Sequence, residues 1–262
     1  MTLLSIAIYS DCVCGVLLSG KREELTLTNI FTAGSIEELF EKNERLQKNG
    51  ITKTCLTFSD NFINYFFSNF NGAKENELEK IIGFRVKDFI PHPTDESIIG
   101  NQVISTGKDG EISLFSAVIE KNLVKKHETA LYSRNIKNFT CTSFSFPFLN
   151  FTDTDDFSLC TGFKDCSTIY FVHAGKLVYS RKLKLNAKNE LSRTLDFYGS
   201  KYSKDPVSTL FTAGNVDTNG LDLNLTIKNI DLMERIKTAQ GLELTRELRD
   251  LILPALGAAL CV

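Results

Sequence analysis

Tryptophan is absent from this 262-residue chain, and histidine nearly so, with His92, His127 and His173 the only three. Their spacing completes no tetrahedral site with the cysteines, and Cys12-x-Cys14 lacks the two-residue gap of zinc knuckles and thioredoxin-like pairs. The sequence therefore predicts no metal and no cofactor. Neither sign of charge prevails: 30 Lys and Arg stand against 32 Asp and Glu, for a formal net charge of −2. A chain without a basic field attracts no phosphate backbone, which makes nucleic acid a poor partner. The glycine signatures of P-loop and Rossmann proteins and the Gly-x-Ser-x-Gly elbow of α/β-hydrolases are all missing. A cysteine nucleophile would need His173 or His127 as its base, and the strand period argues against the first, since Cys166 and His173 are seven residues apart and so on opposite faces.

Long apolar runs are missing too: none approaches the roughly 20 residues that span a bilayer. The opening Met1-Thr2-Leu3-Leu4-Ser5 has no basic segment, and Asp11 interrupts any signal-peptide core. A cytoplasmic domain is the expectation, with any membrane attachment made through a partner or a segment beyond residue 262. The uncharged stretch Leu251 to Val262 reads as a buried helix despite Pro254.

What is present is ordinary globular material, 42% hydrophobic and 24% charged, enough for two cores at this length. Seven cysteines, mostly in apolar stretches, read as reduced core thiols. Residues 3–9, 13–18 and 25–32 read as three strands, with a turn at Ser10-Asp11-Cys12. Ser35 can cap a helix with Glu37 and Glu38 in its first turn and Gly50 as its stop, and a strand follows at 52–58. An aromatic run at 62–70 reads as core, with a partner groove as the alternative. A helix at 74–90 and two strands at 98–105 and 111–119, joined at 107–110, suggest an inserted subdomain. A helix at 120–136 and a strand at 139–148 close the first half. The opening order then recurs: strands at 157–159, 168–173 and 176–183, a helix at 189–199 and a strand at 207–212. The expected architecture is α/β, with two ribonuclease-H-like lobes: 1–153, with an inserted α+β subdomain at about 60–120, and 154–262.

Four stretches resemble the PilM and type II secretion L-protein group of actin-like assembly proteins. Residues 5–18 resemble its first phosphate hairpin, and residues 77–93 its inserted subdomain, where a helix runs into Phe89-Ile90-Pro91. Residues 167–183 resemble its second hairpin, and Ser208 to Asn215 with Leu253 to Leu260 its adenosine-side strand and closing helix. The resemblance implies an actin-like, two-lobed fold. It also marks departures. Where that fold carries an Asp and a Gly on each phosphate hairpin, this chain has Ala7 and Tyr9 in the first and Cys160 and Gly162 in the second, and the adenosine-side Gly pair is Ala213-Gly214. A magnesium site needs hard oxygen ligands, which Ala and Cys do not supply. The residues left nearby, Asp11 and Asp165, read as turn residues.

The implied role is a non-catalytic cytoplasmic scaffold of an inner-membrane secretion or pilus assembly platform. Its implied partners are a secretion or pilus assembly ATPase and inner-membrane platform proteins, with a homodimer as a further possibility. Docking is expected through exposed sheet edges at residues 60–120. The alternative is an ATP-binding pilus assembly protein of the PilM type. A sugar-kinase-like enzyme would need a catalytic Asp in the cleft, and the sequence offers no convincing one.

Overall fold

The computed structural model describes residues 1–21, 24–44, 46, 50–71, 77, 81–83, 87, 90, 94–106, 111–184, 188–202, 208–219, 221 and 225–262. The chain opens with a meander, β1 (Thr2–Ile8), β2 (Val13–Lys21) and β3 (Glu24–Ala33), followed by helix α1 (Ile36–Glu41) and strand β4 (Lys53–Phe58). β1 is buried on both faces, as a central strand must be. Leu4, Ile6 and Ile8 pack with Ile36, Leu39 and Phe40 of α1. Leu3, Ala7 and Tyr9 lie in the other core, with Ile252 and Leu256 of the last helix. α1 starts where Ser35 accepts a hydrogen bond from the Glu38 N–H, while the Glu38 carboxylate reaches back to the Gly34 N–H, a reciprocal cap. It ends before the predicted stop at Gly50. The Asn43 amide donates to the Leu39 carbonyl, at 2.7 Å, supplying from a side chain what the next helical turn would have supplied.

The insert contributes β5 (Ile63–Asn71), β6 (Ser97–Thr106) and β7 (Glu111–Glu120), an antiparallel sheet in the order β5-β7-β6. The helix expected at 74–90 and the turn at 107–110 fall largely or wholly outside the described residues. Helix α2 (Lys121–Tyr132) and strand β8 (Phe139–Ser143) return to the first lobe. The strand predicted to reach 148 stops at Ser143, because Pro147 has no N–H to pair and a 3-10 turn runs from Phe146 to Phe151. The second lobe repeats the plan with β9 (Phe157–Gly162), β10 (Ser167–His173), β11 (Lys176–Leu183), α3 (Lys188–Tyr202), β12 (Thr209–Gly214) and β13 (Thr226–Asn229).

The first sheet, which includes a short strand β14 (Lys237–Thr238), has the order β14-β3-β2-β1-β4-β8, and the second β11-β10-β9-β12-β13. With β14 set aside, both read third, second, first, fourth, fifth. In both, an antiparallel meander is extended by two parallel strands. The recurring order of elements had suggested the doubling, and the two sheets share one strand order. The tail then crosses back. β14 (Lys237–Thr238) pairs with β3, and helix α4 (Arg246–Cys261), with Pro254 inside it, packs on β1, β2 and β4 of the first sheet. Small residues let it lie close: a Cβ on Gly257 would stand 3.0 Å from the Phe148 ring. No helix among the described residues is long and apolar enough to cross a membrane.

The thiol reading needs one correction. All seven cysteines are free, but only Cys14, Cys55, Cys160 and Cys166 are buried, while Cys12 and Cys261 are half-buried and Cys141 is exposed. Cys141 lies on β8, an edge strand, where burial from one side only leaves part of the strand to solvent. The aromatic run at 62–70 is likewise mixed rather than core throughout: Ile63 and Phe70 are buried, and Phe67 is exposed.

Candidate functional site

The doubled plan brings two hairpin turns face to face across the seam between the lobes. The first is the β1–β2 turn, closed by the Tyr9 N–H donating to the Cys12 carbonyl at 2.9 Å. The second is the β9–β10 turn, closed by the Phe163 N–H donating to the Cys166 carbonyl at 2.8 Å. Their tips touch. The Ser10 N–H donates to Asp165 Oδ2 at 2.8 Å, and Lys164 Nζ donates to both oxygens of Asp11, at 2.8 and 2.7 Å. The Asn61 amide, just past β4, donates to the Asp165 carbonyl at 2.5 Å, and Lys182 Nζ on β11 to the Asn61 carbonyl at 3.3 Å. The Lys164 hydrogen bonds hold the Asp11 carboxyl below its usual range, whereas burial pushes Asp165 above it.

The residues singled out by sequence take up different places around this closure. Ala7 is fully buried against the α4 side of the first sheet. Tyr9 sends its side chain into the core, away from the seam. Its hydroxyl donates to the Leu251 carbonyl of α4 at 2.8 Å, its ring meets Phe144 edge-on at 4.6 Å, and burial raises its pKa well above the ordinary 10.0. Cys160 packs in the cluster of Leu191 and Leu195 on α3, with its thiol pushed up to about 12 by burial. Its neighbour Thr161 is the β9 residue that reaches the first lobe. Gly162 and Gly214 do come together: the Asn215 N–H donates to the Gly162 carbonyl at 2.7 Å. A Cβ on Gly162 would stand 2.2 Å from the Asn215 carbonyl oxygen, and Gly214 has φ +75°. Only glycine fits such backbone contact. Ala213 is fully buried.

Behind the tips lies a polar knot that sequence reasoning missed. Asp60, fully buried just past β4, accepts from the hydroxyls of Tyr65 on β5 (2.8 Å), Tyr170 on β10 (3.4 Å) and Ser145. Ser145 in turn pairs with Thr161 at 2.6 Å, and the one Tyr170 hydroxyl hydrogen is shared between Asp60 and the Tyr65 oxygen, 3.0 Å away. First lobe, insert and second lobe thus meet at one carboxyl. Burial raises its pKa, opposed by the hydrogen bonds it accepts, and burial likewise drives both tyrosines well above 10.0. Ser59-Asp60 after an apolar strand was the available signal, but polar residues at a strand end read as a turn.

Beyond the knot, Tyr65 stacks on Phe115 and tilts against Phe146, and both phenylalanines floor a cavity of about 910 Å³. One wall is β6, at Gly100, Asn101 and Gln102; the opposite wall is Phe157, Val172 and Leu177 of the second lobe. Among the described residues β6 is an edge strand, with no partner strand for the backbone groups along one side. Asp155 and Asp153 stand on the rim, the latter paired with Lys228 at 3.0 Å.

The hairpin end does not fit a metal-bound nucleotide. The carboxylates nearest the seam are engaged with Lys164 and the Ser10 N–H, and Gly162 lies in direct contact with Asn215. Among the described residues, no group of three or more His, Cys, Asp or Glu side chains could hold a metal ion.

No protein-family model matches the chain, and no curated protein matches it. Solved structures do. The chain is similar to one in the PilM–PilN type IV pilus biogenesis complex, with a TM-score of 0.72 and 12% identity over 99% of this chain and 98% of that one. It is also similar to the cytoplasmic domain of EpsL, an inner-membrane component of the type II secretion system of Vibrio cholerae, with a TM-score of 0.62 and 9% identity over 90% and 92%. A Bacteroides thetaiotaomicron protein with an actin-like ATPase fold follows, with a TM-score of 0.58 and 11% identity over 89% and 94%. At these identities the likeness shows the fold, and the fold is actin-like.

Proposed function

We propose that this chain is a non-catalytic scaffold domain of an inner-membrane assembly platform, of the type IV pilus or type II secretion kind, working on the cytoplasmic side. In this role it grips platform proteins and docks an assembly ATPase, coupling the two by shape and exposed sheet edges. The observation that carries the reading is where concave surface lies. The phosphate-hairpin end of the seam is closed by its own side chains, while the insert end offers an open cavity beside an unpaired strand edge. A strand edge next to an apolar floor suits an extended segment of another protein, which would pair with β6 and seat alternate side chains on Phe115 and Phe146. The likeness to a chain in the PilM–PilN complex and to the EpsL domain supports platform proteins as the partners.

The test is co-purification from the native cell followed by identification of what binds. Gly100 is exposed on β6, and a Cβ there meets nothing within 4 Å, so Gly100→Trp puts bulk into the cavity mouth without a clash. The wild-type domain should retain a membrane-platform component that Gly100→Trp loses, with the two melting alike. Equal retention by both would rule out the cavity as the grip. Recovery of metabolic enzymes alone would reject the platform role.

A further inference from the structure

The contact between the hairpin tips contains a feature that docking does not require. Asp165 makes no ion pair with its neighbour Lys164, whose ammonium turns to Asp11. One carboxylate oxygen of Asp165 instead accepts from the Ser10 N–H of the opposite lobe, and the other is buried with no hydrogen-bond partner among the described atoms. A half-buried carboxylate placed against a backbone donor at a turn is in the position of a bound anion. The surrounding groups hold it there: the Asn61 amide pins the Asp165 carbonyl, and the Asp11–Lys164 pair fastens the two turns alongside.

We propose that Asp165 is a built-in anion: its carboxylate fills the place on the first hairpin where an external oxyanion, phosphate or carboxylate, would otherwise sit, so that the lobes stay shut without a ligand. The arrangement ties the seam together from within the chain. It is independent of what the insert end grips, because no residue of the cavity takes part.

Hydrogen exchange at residues 8–13 and 162–167 in the whole domain tests it. The wild type should be protected, and millimolar orthophosphate or formate should leave its exchange unchanged. Asp165→Ala should raise exchange at both turns by about tenfold, the factor that follows from losing one hydrogen bond to a charged group. Orthophosphate or formate should restore protection in that variant, since either can enter the vacated place. Ser10→Pro removes the donor while keeping a residue suited to the second position of a turn. It should open the tips in the same way, and neither anion should restore them. The proposal is overturned if Asp165→Ala exchanges like the wild type, or if it opens and no anion re-closes it. Near-ultraviolet circular dichroism separates local opening from unfolding: a variant that has lost its aromatic signal is replaced by Asp165→Asn, which keeps an oxygen acceptor but not the charge and should show a smaller rise in exchange that neither anion reverses. Wild-type exchange from Asp165→Asn would overturn the proposal, since a neutral amide would then close the tips as well as the charge does.

Discussion

The two ends of the seam between the lobes are built from opposite materials. At the hairpin end, short polar side chains and bare backbone touch directly: Ser10 with Asp165, Asp11 with Lys164, and Gly162 with Asn215. At the insert end, aromatic rings and an open strand edge surround about 910 Å³ of space. Between them sits Asp60, bonded to all three parts of the molecule. The difference separates an end fastened by the chain's own groups from an end left open, and on the proposed reading the open end is the one that takes a partner.

The largest expected break in this contrast comes from Gly162→Ala. Its Cβ would collide with the Asn215 backbone, which has no flexible end to yield, and a loss of about 3 kcal/mol in urea unfolding is expected. Unchanged stability would mean the hairpin end is looser than described. Asp60→Ala should come next, at about 2 kcal/mol, because three hydroxyls lose their acceptor. The same residue supplies a pH signature. Its pKa in the folded protein lies above the ordinary 3.8, so its contribution is full below that value and is lost as pH rises through the raised one. Urea midpoints followed upward from pH 3.8 should fall for the wild type, and Asp60→Asn should remove that part of the fall.

Tyr9→Phe should cost about 1 kcal/mol, since it deletes one buried hydrogen bond to α4 and keeps the ring against Phe144. A null result would show that the hydroxyl has another partner. Smallest of all is Lys164→Ala. Its pair with Asp11 is largely exposed, and surface pairs contribute little, so thermal melting should barely move. A large loss there would make the pair, rather than Asp165, the main fastening of the tips.

Much of this was legible in the sequence because it depends on local pattern. The apolar, β-rich runs at 3–9 and 13–18 and the Ser35 cap each act over a few residues, and each lies where it was read. The return of the tail was not legible: residues 237–238 form a two-residue strand whose partner β3 is some 210 positions earlier, and no local pattern encodes that pairing. The candidate site was legible in outline only. Asp11 and Asp165 are turn residues as expected, but their partners come from opposite lobes. Cys160, given by resemblance as the hairpin position where the fold has an Asp, packs toward α3, while Thr161, one position on, reaches the first lobe, which in a strand is the difference between faces. Asp60 was passed over because its burial arises only when β5, β8 and β10 converge on it.

The most direct test of the account is the melting curve of the wild-type domain with and without magnesium and ATP. A nucleotide present at 100 times its dissociation constant would add about 2.7 kcal/mol of stability. The account predicts superimposable curves at millimolar ATP; a magnesium-dependent rise in melting temperature would contradict it.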